Sequence, residues 1–298
     1  MRLFAFRIML LTTLFSAAGC IDYKALVEEV LLGPEGETGF SCSGFTPSNF
    51  GLDFDPIVAK RPDGSEILGW WIPATTDGSN GTVLVSNGAA LTVFCTIENV
   101  YWLADAGYNL ALYDYPGMGR SHAADRNLDD FAQAGQIVAD WIVSNEHNTD
   151  TPLIVMGISM GTAVSATLAR NGVDDIHAVV LDSAFEVEEA GDNVAEDFNP
   201  GGLLQILKPF LRWGVLAAFP ADLNLRVNIP AVPQPLLMLH GETDNLTSPE
   251  TARELFDLAG VPDTFVLFEG IGHNEAASNE MTRDRYRQEI LTFLDGIE

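Results

Sequence analysis

Pro152-Leu153-Ile154-Val155-Met156-Gly157-Ile158-Ser159-Met160-Gly161-Thr162-Ala163-Val164-Ser165-Ala166-Thr167-Leu168-Ala169-Arg170 is the stretch whose reading decides the fold. Its first five residues are an apolar run of strand length. Its last nine are small and suited to a helix. Between them stands Gly-x-Ser-x-Gly, the pattern of a nucleophile elbow when strand and helix flank it in this order. The turn is tight, so glycines on either side remove Cβ atoms that would collide with neighbouring backbone. The serine is then held at the strand tip, with the next N–H aimed at the same point.

Working outward, apolar strands alternate with amphipathic helices. Strands are expected at 67–72, 82–86, 109–113, 152–156, 178–181, 235–239 and 264–268, and helices at 97–106, 129–144, 249–259 and 283–294. In the second of those helices Phe131, Ala134, Ile137, Val138, Trp141 and Ile142 recur at helical spacing. Strand–helix alternation with nearly continuous apolar strands predicts an α/β fold, a mostly parallel sheet covered by helices on both faces. Sites in such sheets lie beyond the C-terminal ends of the strands. Residues 186–234 interrupt the alternation. They begin with Glu186, Glu188, Glu189, Asp192, Glu196 and Asp197 and continue with a mostly apolar stretch from Leu203 to Phe219. A small cap over a pocket and a helix packed on the sheet both fit this segment. The acidic start has no repeated ligand spacing and no histidine nearby, which argues against a metal.

A serine hydroxyl is a weak nucleophile and needs an aligned base. Of the five histidines, His273 in Gly270-Ile271-Gly272-His273-Asn274 follows the last strand and is expected to be that base. His122, His147, His177 and His240 are more poorly placed. The base needs an acid on its other ring nitrogen. Asp244, in the turn leaving the 235–239 strand, is the first choice, with Asp182 and Glu242 as rivals. Two backbone donors must hold the oxyanion. Met160 N–H is one, and Ala89 N–H is the expected second, with Gly88 and Ala90 as alternatives. No cofactor and no metal is expected.

The chain from about Leu68 to Leu294 resembles the serine α/β hydrolases, most closely the small-capped branch of depalmitoylating thioesterases, lysophospholipase-like esterases and serine aminopeptidase-like proteins. Four blocks carry the resemblance: Val83 to Ala90, Leu112 to Ser121, the elbow, and Leu239 to Pro249 together with Gly272-His273. It implies the order Ser159, Asp244, His273 and an acyl-enzyme mechanism, and says little of the substrate. Where that family usually has histidine before the oxyanion-loop glycine, this chain has Asn87. Cleavage of a carboxylic ester or thioester, with a small-molecule or lipid-like acyl substrate, is the expected activity. An aminopeptidase or amidase on the same scaffold is the first alternative. A non-catalytic envelope binding module, favoured by Asn87 alone, is the second.

The N-terminus gives a separate message. Arg2 and Arg7 precede an apolar run from Ile8 to Ala18, too short to span a bilayer, and Ala17-Ala18-Gly19-Cys20 follows. This resembles a bacterial lipoprotein signal over residues 1–19, with Cys20 lipidated. The protein is then exported and held in the cell envelope, at the periplasm or outer membrane, through a lipid anchor on Cys20. Residues 20–50 read as a tether and lead-in, rich in glycine, proline and serine, and 51–298 as one α/β-hydrolase domain. The formal charge of −27 with only Lys24, Lys60 and Lys208 excludes an ordinary nucleic-acid partner. It also repels anionic membrane surfaces, so attachment rests on the lipid. Cys42 and Cys95 form a disulfide or remain two separate thiols. The sequence does not decide an oligomeric state.

Overall fold

The computed structural model describes residues 44–121, 127–144, 151–173, 176–197, 208–261 and 263–297. The signal-like segment, Cys20 and Cys42 lie outside the described residues. Eight strands form one sheet in the order β1-β2-β4-β3-β5-β6-β7-β8. They are β1 Asp55–Lys60, β2 Glu66–Ile72, β3 Gly81–Ser86, β4 Tyr108–Tyr113, β5 Leu153–Ile158, β6 Ile176–Asp182, β7 Leu236–Gly241 and β8 Asp263–Phe268. β1 and β2 pair antiparallel, as do β2 and β4. Every other pairing is parallel.

The inner strands are buried from end to end, because helices cover both faces. Alternation within each strand sends side chains to opposite sides. Leu84, Val155, Val179, Leu181 and Met238 join one apolar cluster, with helices α2 (Phe131–Ser144), α3 (Met160–Arg170) and α6 (Pro249–Phe256). Val83, Val85, Leu112, Met156, Val180 and Leu239 join the other, with α1 (Val93–Val100) and α7 (Arg283–Asp295).

Two local expectations need correction. The helix expected over 97–106 starts earlier, at Val93, and α1 gives way at Tyr101 to a short helical turn, Trp102–Asp105. The early start is set by Asp114, whose Oδ1 accepts the Val93 N–H at 2.8 Å, across the sheet rather than along the sequence. β1 carried no signal, since only Ile57 and Ala59 of its six residues point inward. Before β1, a short 3-10 turn at Pro47–Phe50 packs on the fold: Phe50 stacks on Tyr101 with ring centroids 4.3 Å apart.

In the 186–234 segment, α4 (Val187–Asp197) and α5 (Lys208–Ala218) follow β6. Ala190, Val215, Ala218 and Phe219 join the α3-side cluster, and Phe219 stacks on Phe185 at 5.0 Å. Part of the segment is therefore core packing, whereas Trp213 stands 57% exposed on the outer side of α5. Among the described residues, no helix is long and apolar enough to cross a membrane.

Candidate active site

Ser159 ends β5 and caps α3 with φ 52° and ψ −122°. A positive φ is uncommon outside glycine and costs roughly 1–3 kcal/mol. The turn is held from two sides. Ser159 N–H donates to the Asp182 carbonyl at 2.9 Å, and the Ser159 carbonyl accepts from Thr162 N–H at 2.9 Å and Thr162 Oγ1 at 2.5 Å. The two elbow glycines are needed for contact. A methyl on Gly157 would overlap the Gly161 backbone, and one on Gly161 would overlap the Ser86 carbonyl.

The structure brings Ser159, His273 and Asp244 together from three strand ends. Ser159 Oγ lies 2.8 Å from His273 Nε2, and His273 Nδ1 lies 2.7 Å from Asp244 Oδ2. Burial pushes the Asp244 carboxyl up, but the hydrogen bond from His273, the charge of His273 and the Leu246 N–H outweigh it, leaving the group below its usual range. An ionised carboxylate only accepts, so Nδ1 carries the imidazole proton and Nε2 is free to accept from the serine. Leu246 N–H at 2.9 Å and Thr247 N–H at 3.1 Å fix the other carboxylate oxygen.

Glu242, one rival acid, instead accepts from Gly270 N–H at 2.9 Å. Asp182, the other, is buried and bonded elsewhere: its Oδ2 accepts from Tyr286 Oη at 2.8 Å and its Oδ1 from Ser183 Oγ at 3.1 Å. Burial raises its pKa to about 6, against the opposing effect of those two donors and of nearby His273, and Asp244 adds to the rise. A carboxyl that ionises at about 6 when folded and near 3.8 when unfolded binds its proton more tightly in the folded state. The associated stability is present below pH 4 and is lost as pH rises to about 6, a loss of order 3 kcal/mol. Melting temperatures from pH 4 to pH 7.5 are therefore expected to fall more steeply for wild type than for Asp182→Asn. Parallel curves would count against a neutral buried Asp182.

The loop after β3 lies against the nucleophile. A Cβ on Gly88 would stand 3.3 Å from Ser159 Cβ, and Ala90 has φ 56°. Ala89 sits between these two residues. Met160 opens α3, where backbone N–H groups have no intrahelical acceptor. Asn87 is fully buried beneath this loop. Its Nδ2 donates to the Tyr113 carbonyl at 2.6 Å, its Oδ1 accepts from Thr96 Oγ1 at 2.6 Å, and its own carbonyl accepts from Tyr115 Oη at 3.1 Å. Asparagine thus ties the loop to β4 and α1 with its amide alone. Cys95 is disulfide-bonded, and its partner lies outside the described residues. Among those residues, no group of three metal-ligating side chains converges.

A family model described as serine aminopeptidase, S33, matches residues 77–214. The uncharacterized protein YfhR of Escherichia coli K12 is 26% identical over 260 residues, which cover 84% of this chain and 83% of that protein. An esterase of Pyrococcus furiosus has the same fold, with a TM-score of 0.72 at 19% identity, covering 89% of this chain and 96% of its own. The likeness shows that the chain has the α/β-hydrolase fold. A lysophosphatidylserine lipase of Danio rerio is 27% identical over 166 residues, 53% of this chain and 41% of that protein.

Two features of this site escape sequence reasoning. His240 is buried at the end of β7, with Nε2 3.0 Å from the Thr247 carbonyl and 3.4 Å from Asp244 Oδ2. Facing two acceptors, Nε2 holds the proton, and burial depresses the pKa so that the ring stays neutral. Ser183 and Asn274 both adopt positive φ, 54° and 59°. For Asn274 its residue type is a weak signal, since asparagine tolerates that region; for Ser183 there is none.

Proposed function

We propose that this protein is an exported serine hydrolase that cleaves a carboxylic ester or thioester through an acyl-enzyme on Ser159. The observation that carries the reading is the continuous line from Ser159 Oγ through His273 to the ionised, buried Asp244. His273 Nε2 takes the hydroxyl proton as Ser159 Oγ attacks the carbonyl carbon. The oxyanion is held by Met160 N–H and Ala89 N–H. Collapse of the tetrahedral intermediate expels the alcohol or thiol, which takes the proton from His273. Water, deprotonated by the same nitrogen, then attacks the acyl group and frees Ser159. Asp244 keeps the proton on Nδ1 and stabilises the imidazolium. The esterase fold neighbour and the lipase relative support this substrate class. Export and a lipid anchor on Cys20 belong to the same proposal and rest on the N-terminal sequence. Residues 1–19 are the signal in this reading, 20–50 the lead-in and 51–298 the catalytic domain.

The family model's description favours the aminopeptidase reading. The geometry of the acidic segment weakens it. Glu186 accepts from Glu189 N–H at 2.8 Å and faces Arg226, Glu189 accepts from Ser248 N–H at 3.1 Å, and Asp192 pairs with Arg212. These carboxylates are already engaged in the scaffold and are poor candidates for holding a substrate ammonium.

Turnover of p-nitrophenyl esters from acetyl to palmitoyl, beside aminoacyl-arylamides, tests the proposal on protein beginning after Cys20. Ester hydrolysis faster than amide hydrolysis, with fluorophosphonate labelling on the peptide containing Ser159, is the expected result. Faster amide hydrolysis favours the aminopeptidase. Silence on every substrate together with no labelling favours a binding module on this fold.

A further inference from the structure

The base loop is held from below by residues outside the catalytic line. Asn274, which follows His273, donates its N–H to Ser183 Oγ at 3.0 Å. Ser183 Oγ donates in turn to Asp182 Oδ1 at 3.1 Å. Asp182 Oδ2 accepts from Tyr286 Oη of α7 at 2.8 Å, and the Asp182 carbonyl accepts the Ser159 N–H at 2.9 Å. Ser183 N–H is itself anchored on the Leu239 carbonyl of β7 at 2.9 Å. One buried pair, Asp182-Ser183, therefore bonds to the nucleophile's backbone on one side and to the residue after the base on the other. Ser183 keeps φ 54° to do so, a conformation that serine adopts at a cost. Asn274, also at positive φ, completes the strained pair.

We infer that Ser183 is a positioning residue, whose hydroxyl sets the reach of His273 to Ser159 by fixing the Asn274 backbone to the end of β6. The inference rests on the triad reading above. Ser183 Oγ has the two bonds this requires, accepting from the base loop and donating to Asp182. Without the hydroxyl, Asn274 N–H loses its acceptor and the imidazole is no longer fixed relative to β5.

Ser183→Gly is the variant of choice. It removes the hydroxyl, yet glycine adopts φ 54° without strain, so the fold is not penalised for the conformation. Ser183→Asn is the rescue, because asparagine tolerates positive φ and its side-chain carbonyl can accept the same N–H. Relative to wild type, Ser183→Gly is expected to lower kcat about 10- to 100-fold with little change in KM, and Ser183→Asn to recover part of the loss. Independently of turnover, the downfield Nδ1–H proton resonance of His273, assigned by its loss in His273→Gln, is expected to broaden and exchange faster in Ser183→Gly. An unchanged kcat with an unchanged resonance overturns the positioning role while the hydrolase reading stands. If wild type shows no turnover dependent on Ser159, the hydrolase reading fails, and the resonance alone decides whether Ser183 positions His273. A parallel fall in melting temperature and kcat in Ser183→Gly, with the His273 resonance unchanged, also overturns it, since the loss is then one of stability.

Discussion

Replacing Ser159 by alanine is expected to lower ester turnover by on the order of 10⁴- to 10⁶-fold. The fold should survive. The alanine inherits the backbone of a residue already held at φ 52°, and the three hydrogen bonds that brace the elbow involve its N–H and carbonyl, not its hydroxyl. What is lost is the oxygen 2.8 Å from His273 Nε2, the one atom that the imidazole can deprotonate there. Any residual rate would come from water and the oxyanion donors. Melting temperature should move by a few degrees at most, the equivalent of about 1 kcal/mol for one hydrogen bond. Circular dichroism beside p-nitrophenyl ester kinetics checks both halves. A variant that keeps its fold and more than a tenth of wild-type turnover would refute Ser159 as the nucleophile.

Gly161→Ala should act through the fold. The added methyl would overlap the Ser86 carbonyl and lie 2.6 Å from Ser86 C and 2.7 Å from Asn87 O. These are backbone atoms at the end of β3, so no side chain can swing away. Either α3 lifts from the sheet or the loop carrying Ala89 is displaced, and both outcomes reach the site. A cost of about 3 kcal/mol or more is expected, a large share of the 5–15 kcal/mol typical of a whole domain. That corresponds to a fall of about 6–12 °C in melting temperature for a chain of this size, with a loss of turnover beyond it. Gly260→Ala is the control, since nothing lies within 4 Å of a Cβ at that position. Its stability should change by less than about 0.5 kcal/mol. Equal melting temperatures for the two variants would show that the elbow can yield.

The strands at the centre of this sheet are legible because they are buried on both faces and therefore continuously apolar, as Val83-Leu84-Val85 and Leu153-Ile154-Val155-Met156 are. β1 is not, because an edge strand exposed on one face needs only two inward residues. The ends of α1 are equally hidden, because Asp114 caps its first N–H from another strand. Ser159, His273 and Asp244 could be named from residue type and from their places after strands, and the structure adds their distances. Ser183 and His240 could not, because a buried polar side chain is recognisable only through partners distant in sequence. Tyr286 reaches Asp182 across 104 positions, and no local pattern encodes that reach.

The hydroxyl and its base are 114 residues apart in the chain, with α3, β6, α4, α5, β7, α6 and β8 between them. The elbow needs only its own strand, its helix and the neighbouring strands β3 and β6. The imidazole arrives only when the last strand has docked on β7 and its following loop has closed. In the proposed mechanism, reactivity therefore depends on the native pairing of the last strand as well as on the elbow. A turnover assay would then report on the placement of the C-terminal segment, 114 residues beyond the serine it serves.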